Sequence, residues 1–245
     1  MSFLEHFLPT ALIITLNLSQ GFFCANFFPM LYTRSVKNCT IYLIRHGETE
    51  WNVEGRMQGH ADSPLTQKGL EQARRRAESL KHIKFAAFYS SDLLRAKRTA
   101  EIIALDHKLT VTTTQMFRER HFGPHEGQLV KDYDAELKEL LEKRLQLTDN
   151  ELDRFELYEG YETDEKVATR FITILRELAT AYMGKTIGVV THGGALRVLL
   201  RRFGYASHTQ LRQGSVQNVA YIKIESDGVD FTVKETEGIV LGEIV

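Results

Sequence analysis

Two short apolar runs, each stopped by a histidine and a glycine, constrain this chain more than anything else in it. Thr40–Asn52 reads TIYLIRHGETEWN and Lys185–Gly194 reads KTIGVVTHGG. In the first, Ile41-Tyr42-Leu43-Ile44 is the apolar, β-rich pattern of a buried strand, and it ends at Arg45-His46-Gly47, where the glycine lets the chain turn. In the second, Lys185–Val190 ends at Thr191-His192-Gly193. An isolated Arg-His pair reads as solvation of a strand end. Two core strands that each deliver an imidazole to one sheet edge read as a site, because open α/β sheets bind ligands outside the carboxyl ends of their strands.

A third strand, Phe85–Tyr89, runs into Ser90-Ser91-Asp92, good helix-capping residues, and a helix over Leu93–Ala104. Arg95 then lies in the first turn, where exposed N–H groups and the helix dipole also favour an anion. Arg45, Arg95 and two imidazoles around one point suit a dianion, and a phosphoryl group is the simplest. No Walker loop and no DxD carboxylate cluster is read as an alternative phosphate site, and no cysteine as a CX5R nucleophile.

The other elements follow from periodicity. Thr66 caps a helix that runs through Lys81, with Leu70, Ala73, Ala77 and Leu80 on one face, and Arg74-Arg75-Arg76 fan around it as solvated surface. Val53–Pro64 is a loop, Lys108–Thr114 a strand, and Phe117–Gly127 is too broken by glycine and proline for a regular element. Asp132–Leu147 is helical, Asp149–Tyr161 acidic and irregular, Glu162–Met183 a long helix and Ala195–Phe203 another. Gln217–Glu225 and Val229–Glu235 pair about the Ser226-Asp227-Gly228 turn. This alternation predicts an α/β three-layer sandwich: a mostly parallel central sheet flanked by helices, with a small, mainly helical cap inserted at about 125–161.

Composition excludes some partners and chemistries. The 245 residues suffice for one α/β domain, and a net charge of −1 is not that of a chain built to coat nucleic acid. Cys24 and Cys39 form neither a disulfide framework nor a zinc cluster. His121 and His125 have i,i+4 spacing, but Gly123-Pro124 breaks the helix that would align them, so no metal and no cofactor is expected. Residues 1–38 differ from the rest: Leu8–Phe28 is apolar and almost uncharged, marginal as a membrane span, and without the basic start of a secretory signal. This extension reads as a targeting segment or as a start misassigned ahead of Met30, with the domain over 39–245, a cytoplasmic location and no stable membrane partner. A homodimer is compatible with the sequence.

Four segments in order then resemble the histidine phosphatase superfamily, the branch with cofactor-dependent phosphoglycerate mutases and their phosphatase relatives: RHGETEWN (Arg45–Asn52), SDLLRAKRTA (Ser91–Ala100), RERHFG (Arg118–Gly123) and THGGALR (Thr191–Arg197). The resemblance implies that His46 is the nucleophile that becomes phosphohistidine. It implies that Arg45, Arg95 and His192 clamp the phosphoryl oxygens, that Asn52 is a further donor, and that Glu119 is the proton donor. Gln58 and Gly59 stand where relatives touch substrate, Gly193 borders the same edge, and Glu162 resembles a pocket-side acid, although an acid at a helix start that only complements the dipole has equal claim. The implied activity is a metal-independent phosphomonoesterase acting on a small phosphorylated metabolite, a sugar phosphate or phosphoglycerate. The alternative is a cofactor-dependent mutase; a non-catalytic phosphate-binding module and a protein phosphatase rank below both. Three features favour the phosphatase. The stretch from Glu119 to His192 is short for a mutase, Gln128–Glu162 carries more acids than bases, and Phe122 stands where mutases resemble one another in having Tyr.

Overall fold

A computed structural model describes residues 37–242, so the apolar run at Leu8–Phe28 and the reading of the extension lie outside the described residues, apart from Lys37 and Asn38. Six strands form one sheet: β1 (Cys39–Arg45), β2 (Phe85–Ser91), β3 (Val111–Thr114), β4 (Thr186–Thr191), β5 (Val216–Ser226) and β6 (Phe231–Ile239), in the order β3-β2-β4-β1-β5-β6. The first four run parallel, and β5 and β6 close the other side antiparallel. The helices are α1 (Glu50–Glu54), α2 (Gln67–Leu80), α3 (Leu94–Asp106), α4 (Val130–Glu136), α5 (Lys138–Arg144), α6 (Asp149–Arg154), α7 (Asp164–Ala181) and α8 (Gly193–Arg202).

β1 shows why the centre is a three-layer sandwich. Side chains alternate along a strand, so Ile41 and Leu43 enter the core built with α7 and α8, while Tyr42 and Ile44 enter the one built with α2 and α3. All four are buried. A smaller cluster of Met57, Tyr133, Leu137, Leu157 and Tyr161 packs with α4 and α5. Among the described residues no helix is long and apolar enough to cross a membrane.

Several local expectations are corrected. Thr49 and Asn52 exchange side-chain and backbone hydrogen bonds as a capping box, which starts α1 where a loop was expected from Val53; Asn at the place usually held by Glu or Gln hid the motif. Ser90 and Ser91 belong to β2, and the carboxylate that receives the Leu94 N–H at the start of α3 is Asp62, distant in sequence. Lys108 takes a left-handed φ of 55° after α3, which delays β3 to Val111. The helix expected over Asp132–Leu147 divides at Leu137 into α4 and α5, and a capping box at Thr148 starts α6 inside a stretch expected to be irregular. Arg76 is buried rather than solvated: its Nε donates to the Val219 carbonyl, its Nη2 meets Glu237, and its guanidinium stacks 4.9 Å from the centre of the Tyr221 ring.

Candidate active site

The register of β1 against β4 sets the centre. Arg45 faces Thr191, and the His46 N–H continues the ladder to the Thr191 carbonyl at 2.9 Å. The next residue on each strand is a histidine, so His46 and His192 emerge side by side with ring centres 5.2 Å apart. Both are buried. His46 Nδ1 lies 2.7 Å from the Gly47 carbonyl, which accepts its hydrogen and leaves Nε2 as the free lone pair. Burial, then the charges of Arg95 and Arg45, hold the His46 pKa well below its ordinary value; burial, Arg95 and His46 do the same to His192. Two neutral imidazoles at neutral pH result.

The arginines are fixed by backbone and by one remote acid. Arg45 Nη1 donates to the Val216 carbonyl at 2.6 Å, and burial pushes its pKa down to about 10. Arg95, 1% exposed, donates to the carbonyls of Gly59 and Ala61, each at 2.7 Å, and to Asp62 Oδ1 at 2.9 Å. Arg45 Nε, Arg95 Nε and both ring nitrogens of His192 are buried polar atoms with no hydrogen-bond partner among the described residues. Buried polar groups are ordinarily paired, so a cluster of unpaired ones beside His46 marks the place where an oxyanion would be received.

Glu119 follows the short turn Gln115–Phe117, and its carboxylate sits on the amino end of α8. Oε2 accepts the Gly194 N–H and Oε1 accepts the N–H groups of Ala195 and Arg120, all at 2.8 Å. A Cβ on Gly194 would come within 2.6 Å of Oε1, so this glycine is what lets the acid rest there. The Glu119 carbonyl is gripped in turn by Arg170 Nη2 at 3.0 Å, while Arg170 Nη1 takes the carbonyls of Met116 and Arg118.

Most of the residues expected at the site come together. His46, Asn52, Gln58, Gly59, Arg95 and Glu119 line one cavity of about 730 Å³ that runs on beneath α4 to α6. Asn52 spends its Oδ1 on Thr49 and Asn218, and Gln58 donates to the Thr49 hydroxyl at 2.9 Å. Gly59 has φ of 60°, and a Cβ there would fall 2.1 Å from Glu126 Oε1; its carbonyl positions Arg95. Gly193 opens α8 beside Arg45 Nε. Glu162 does not line the cavity: its carboxylate pairs with Arg170 at 2.7 and 3.0 Å, so it steadies the segment that carries Glu119. Asp62, Arg170 and Gly194 were missed by the sequence reading. Asp62 and Arg170 act through contacts remote in sequence, and only Gly194, inside THGGALR, stood in a recognised segment.

Two other chemistries can be weighed on geometry. Cys39 and Arg45 do have the CX5R spacing of a cysteine-phosphatase loop, contrary to the sequence reading. Cys39 however begins β1, fully buried at the end away from His46, with its thiol pushed up by burial to about 11. Asp153, Asp164 and His208 bring possible metal ligands within 4.8 Å of one another. Asp164 already holds the guanidiniums of Arg120 and Arg201, so a cation would enter against two arginines. His121 and His125, the pair weighed in the sequence, are engaged elsewhere, His121 with the Gly160 carbonyl and His125 with Gln128.

A parallel-stranded α/β sandwich with paired neutral imidazoles, two buried arginines and a carboxylate at its switch point defines a class of histidine-centred oxyanion-handling proteins. Within that class, the chain belongs to the histidine phosphatase superfamily (branch 1), whose family description matches residues 41–237. It is 40% identical over 172 residues to phosphoglycerate mutase-like protein 4 of Arabidopsis thaliana, covering 69% of this chain and 73% of that one. It is 37% identical over 185 residues to a metal-independent phosphoserine phosphatase of the same plant, covering 75% and 76%. Among solved structures, Bacillus stearothermophilus YhfR superposes with a TM-score of 0.71 at 32% identity, over 82% of this chain and 98% of that one.

Proposed function

We propose that this protein is a metal-independent phosphomonoesterase that hydrolyses a small phosphorylated metabolite through a phosphohistidine at His46. The observation that carries the reading is a buried, neutral imidazole on a residue that lines one cavity with Arg95 and Glu119, its ring abutting that of His192. His46 Nε2 attacks phosphorus, and the alkoxide leaves with a proton from Glu119. Water, deprotonated by Glu119, then attacks the phosphohistidine and releases inorganic phosphate. Phosphoryl transfer passes through a loose transition state, so fixed positive charge does most of the work. The guanidiniums of Arg45 and Arg95 offer paired donors that match phosphate geometry. Splitting the reaction at His46 is covalent catalysis by a nucleophile kept unprotonated by its cationic neighbours.

A small metabolite is supported by the cavity of about 730 Å³, which residues of α4 to α6 help to line, and by the name of the phosphoserine phosphatase relative. The name of the most identical relative given above supports the mutase reading, which the same experiment separates: a mutase returns the phosphoryl group to a bound acid, whereas a phosphatase releases inorganic phosphate. Replacing Glu119 tests the proton step. Glu119→Gln should slow alkyl phosphates by ~10²–10⁴-fold and an aryl phosphate with a good leaving group much less, measured as phosphate release. Equal losses on both substrates would remove Glu119 from the acid role.

A further inference from the structure

Glu126 closes the short turn Gly123–His125, and its side chain, 13% exposed, is held by backbone. Oε1 accepts the N–H groups of His60 and Phe122 at 2.8 and 3.0 Å, and Oε2 accepts that of Ala61 at 2.7 Å. The basic group beside it is His121, 3.7 Å away, and no lysine or arginine among the described residues pairs with it. Burying a carboxylate is costly unless hydrogen bonds satisfy it, and three peptide N–H groups do so.

Two of those peptides lead to the phosphoryl site. A trans peptide points its N–H and its C=O in opposite directions. The Gly59–His60 peptide gives its N–H to Glu126 and its carbonyl to Arg95 Nη2 at 2.7 Å, so one rigid unit lies between an anion and a guanidinium. Ala61 repeats the arrangement across one residue: its N–H meets Oε2, and its carbonyl takes Arg95 Nη1 at 2.7 Å. Hydrogen bonds in such a chain polarise one another, and those to charged groups are the strong ones. The close approach requires Gly59, whose φ is 60° and which has no Cβ to strike Oε1. Burial lowers the Arg95 pKa, and the carboxylates of Asp62, Glu119 and Glu126 oppose the fall. The two segments are also laced by backbone, the Met57 N–H to the Gln128 carbonyl and the Gly127 N–H to the Met57 carbonyl, each at 2.8 Å. Their association therefore does not depend on the carboxylate alone.

Resting on the phosphatase reading, we infer that Glu126 is a positioning residue for phosphoryl transfer, which sets the guanidinium of Arg95 through the backbone of Gly59–Ala61. Asp62 holds Nη1 directly, and Glu126 fixes the two carbonyls that receive Nη1 and Nη2. Glu126→Gln keeps the shape but replaces one oxygen by an NH₂ group, which cannot accept a peptide N–H.

The test is a double-mutant cycle of Glu126→Gln and Arg95→Lys, read as kcat/KM on para-nitrophenyl phosphate and as the calorimetric Kd of inorganic phosphate. In the wild-type background Glu126→Gln should lower both kcat/KM and phosphate affinity by ~10–100-fold, the range for a lost hydrogen bond to a charged group. In the Arg95→Lys background, where no fork remains for the carbonyls to hold, it should cost less than ~3-fold. Glu126→Asp keeps the charge and should recover part of the loss; it replaces Glu126→Gln in the cycle if that variant melts below the assay temperature. Equal factors in both backgrounds, as general loosening would give, or no loss in either, overturn the inference. So does a loss on an alkyl phosphate far larger than on para-nitrophenyl phosphate, which would place the effect at Glu119. A wild-type protein that binds phosphate yet hydrolyses no ester counts against the phosphatase reading alone, and the phosphate affinities then still decide the role of Glu126.

Discussion

His46→Ala should lower phosphate release from any phosphomonoester the protein hydrolyses by on the order of 10⁵-fold, because His46 is the proposed acceptor of the phosphoryl group. His192, the imidazole beside it, shares the depressed pKa but has no hydrogen-bond partner among the described residues at either nitrogen to fix its tautomer, whereas the Gly47 carbonyl fixes that of His46. A second readout separates this loss from general damage. Both histidines are buried and held neutral, so below about pH 6.5 the unfolded chain binds protons that the folded one does not. Stability therefore falls as pH falls through that range. Removing His46 removes one such group, and the fall in unfolding free energy with acidification should become shallower by about 1.4 kcal/mol per pH unit. Activity within tenfold of wild type would take the reaction away from His46, and an unchanged slope would contradict its depressed pKa.

Arg95→Met should cost both activity and stability. The side chain ties the loop at Gly59–Asp62 to α3 through two carbonyls and one carboxylate, and its Nε stands unpaired among the buried groups beside His46. Truncation leaves Asp62 without its cation. Asp62 keeps 23% of its side chain exposed, which puts the penalty at the low end for breaking a buried pair, about 3 kcal/mol. For a domain of this size that is a drop in Tm of roughly 6–12 °C. Turnover, measured well below the new Tm, should fall by ~10³-fold, the scale of removing a cation from a phosphoryl-transfer transition state. Arg95→Lys keeps the charge but not the fork, and should regain stability more than turnover. A stable, folded Arg95→Met enzyme with near-normal turnover would leave Arg95 as a structural residue only.

What could be read in the sequence was whatever is encoded locally. The apolar runs Ile41–Ile44 and Ile187–Val190 placed two strands in the core, and their shared His-Gly endings placed the site at one sheet edge. The parallel register then turned that pairing into two abutting imidazoles. Arg95 was found because it opens a helix after a strand. What stayed hidden depends on contacts between distant segments. Asp62 supports Arg95 from a loop, and Arg170 reaches back from α7 to carbonyls near Glu119, while Glu162, read as a pocket acid or a helix-start acid, spends its charge on Arg170. Arg76 shows the same limit: a run of three arginines looks solvated until β5 and β6 cover one of them. The short helices above the cavity were the least legible. Their breaks fall at Leu137 and Thr148, where neither glycine nor proline signals a boundary.

The central claim, a phosphohistidine at His46, is open to direct measurement. The wild-type protein is mixed with a ³²P-labelled phosphomonoester in the presence of EDTA, quenched within milliseconds and denatured. Wild type should retain label that survives alkali and is lost in acid, and the labelled peptide should be the one containing His46. Label that is stable to acid, that appears only when a metal ion is supplied, or that persists in His46→Ala would contradict the account.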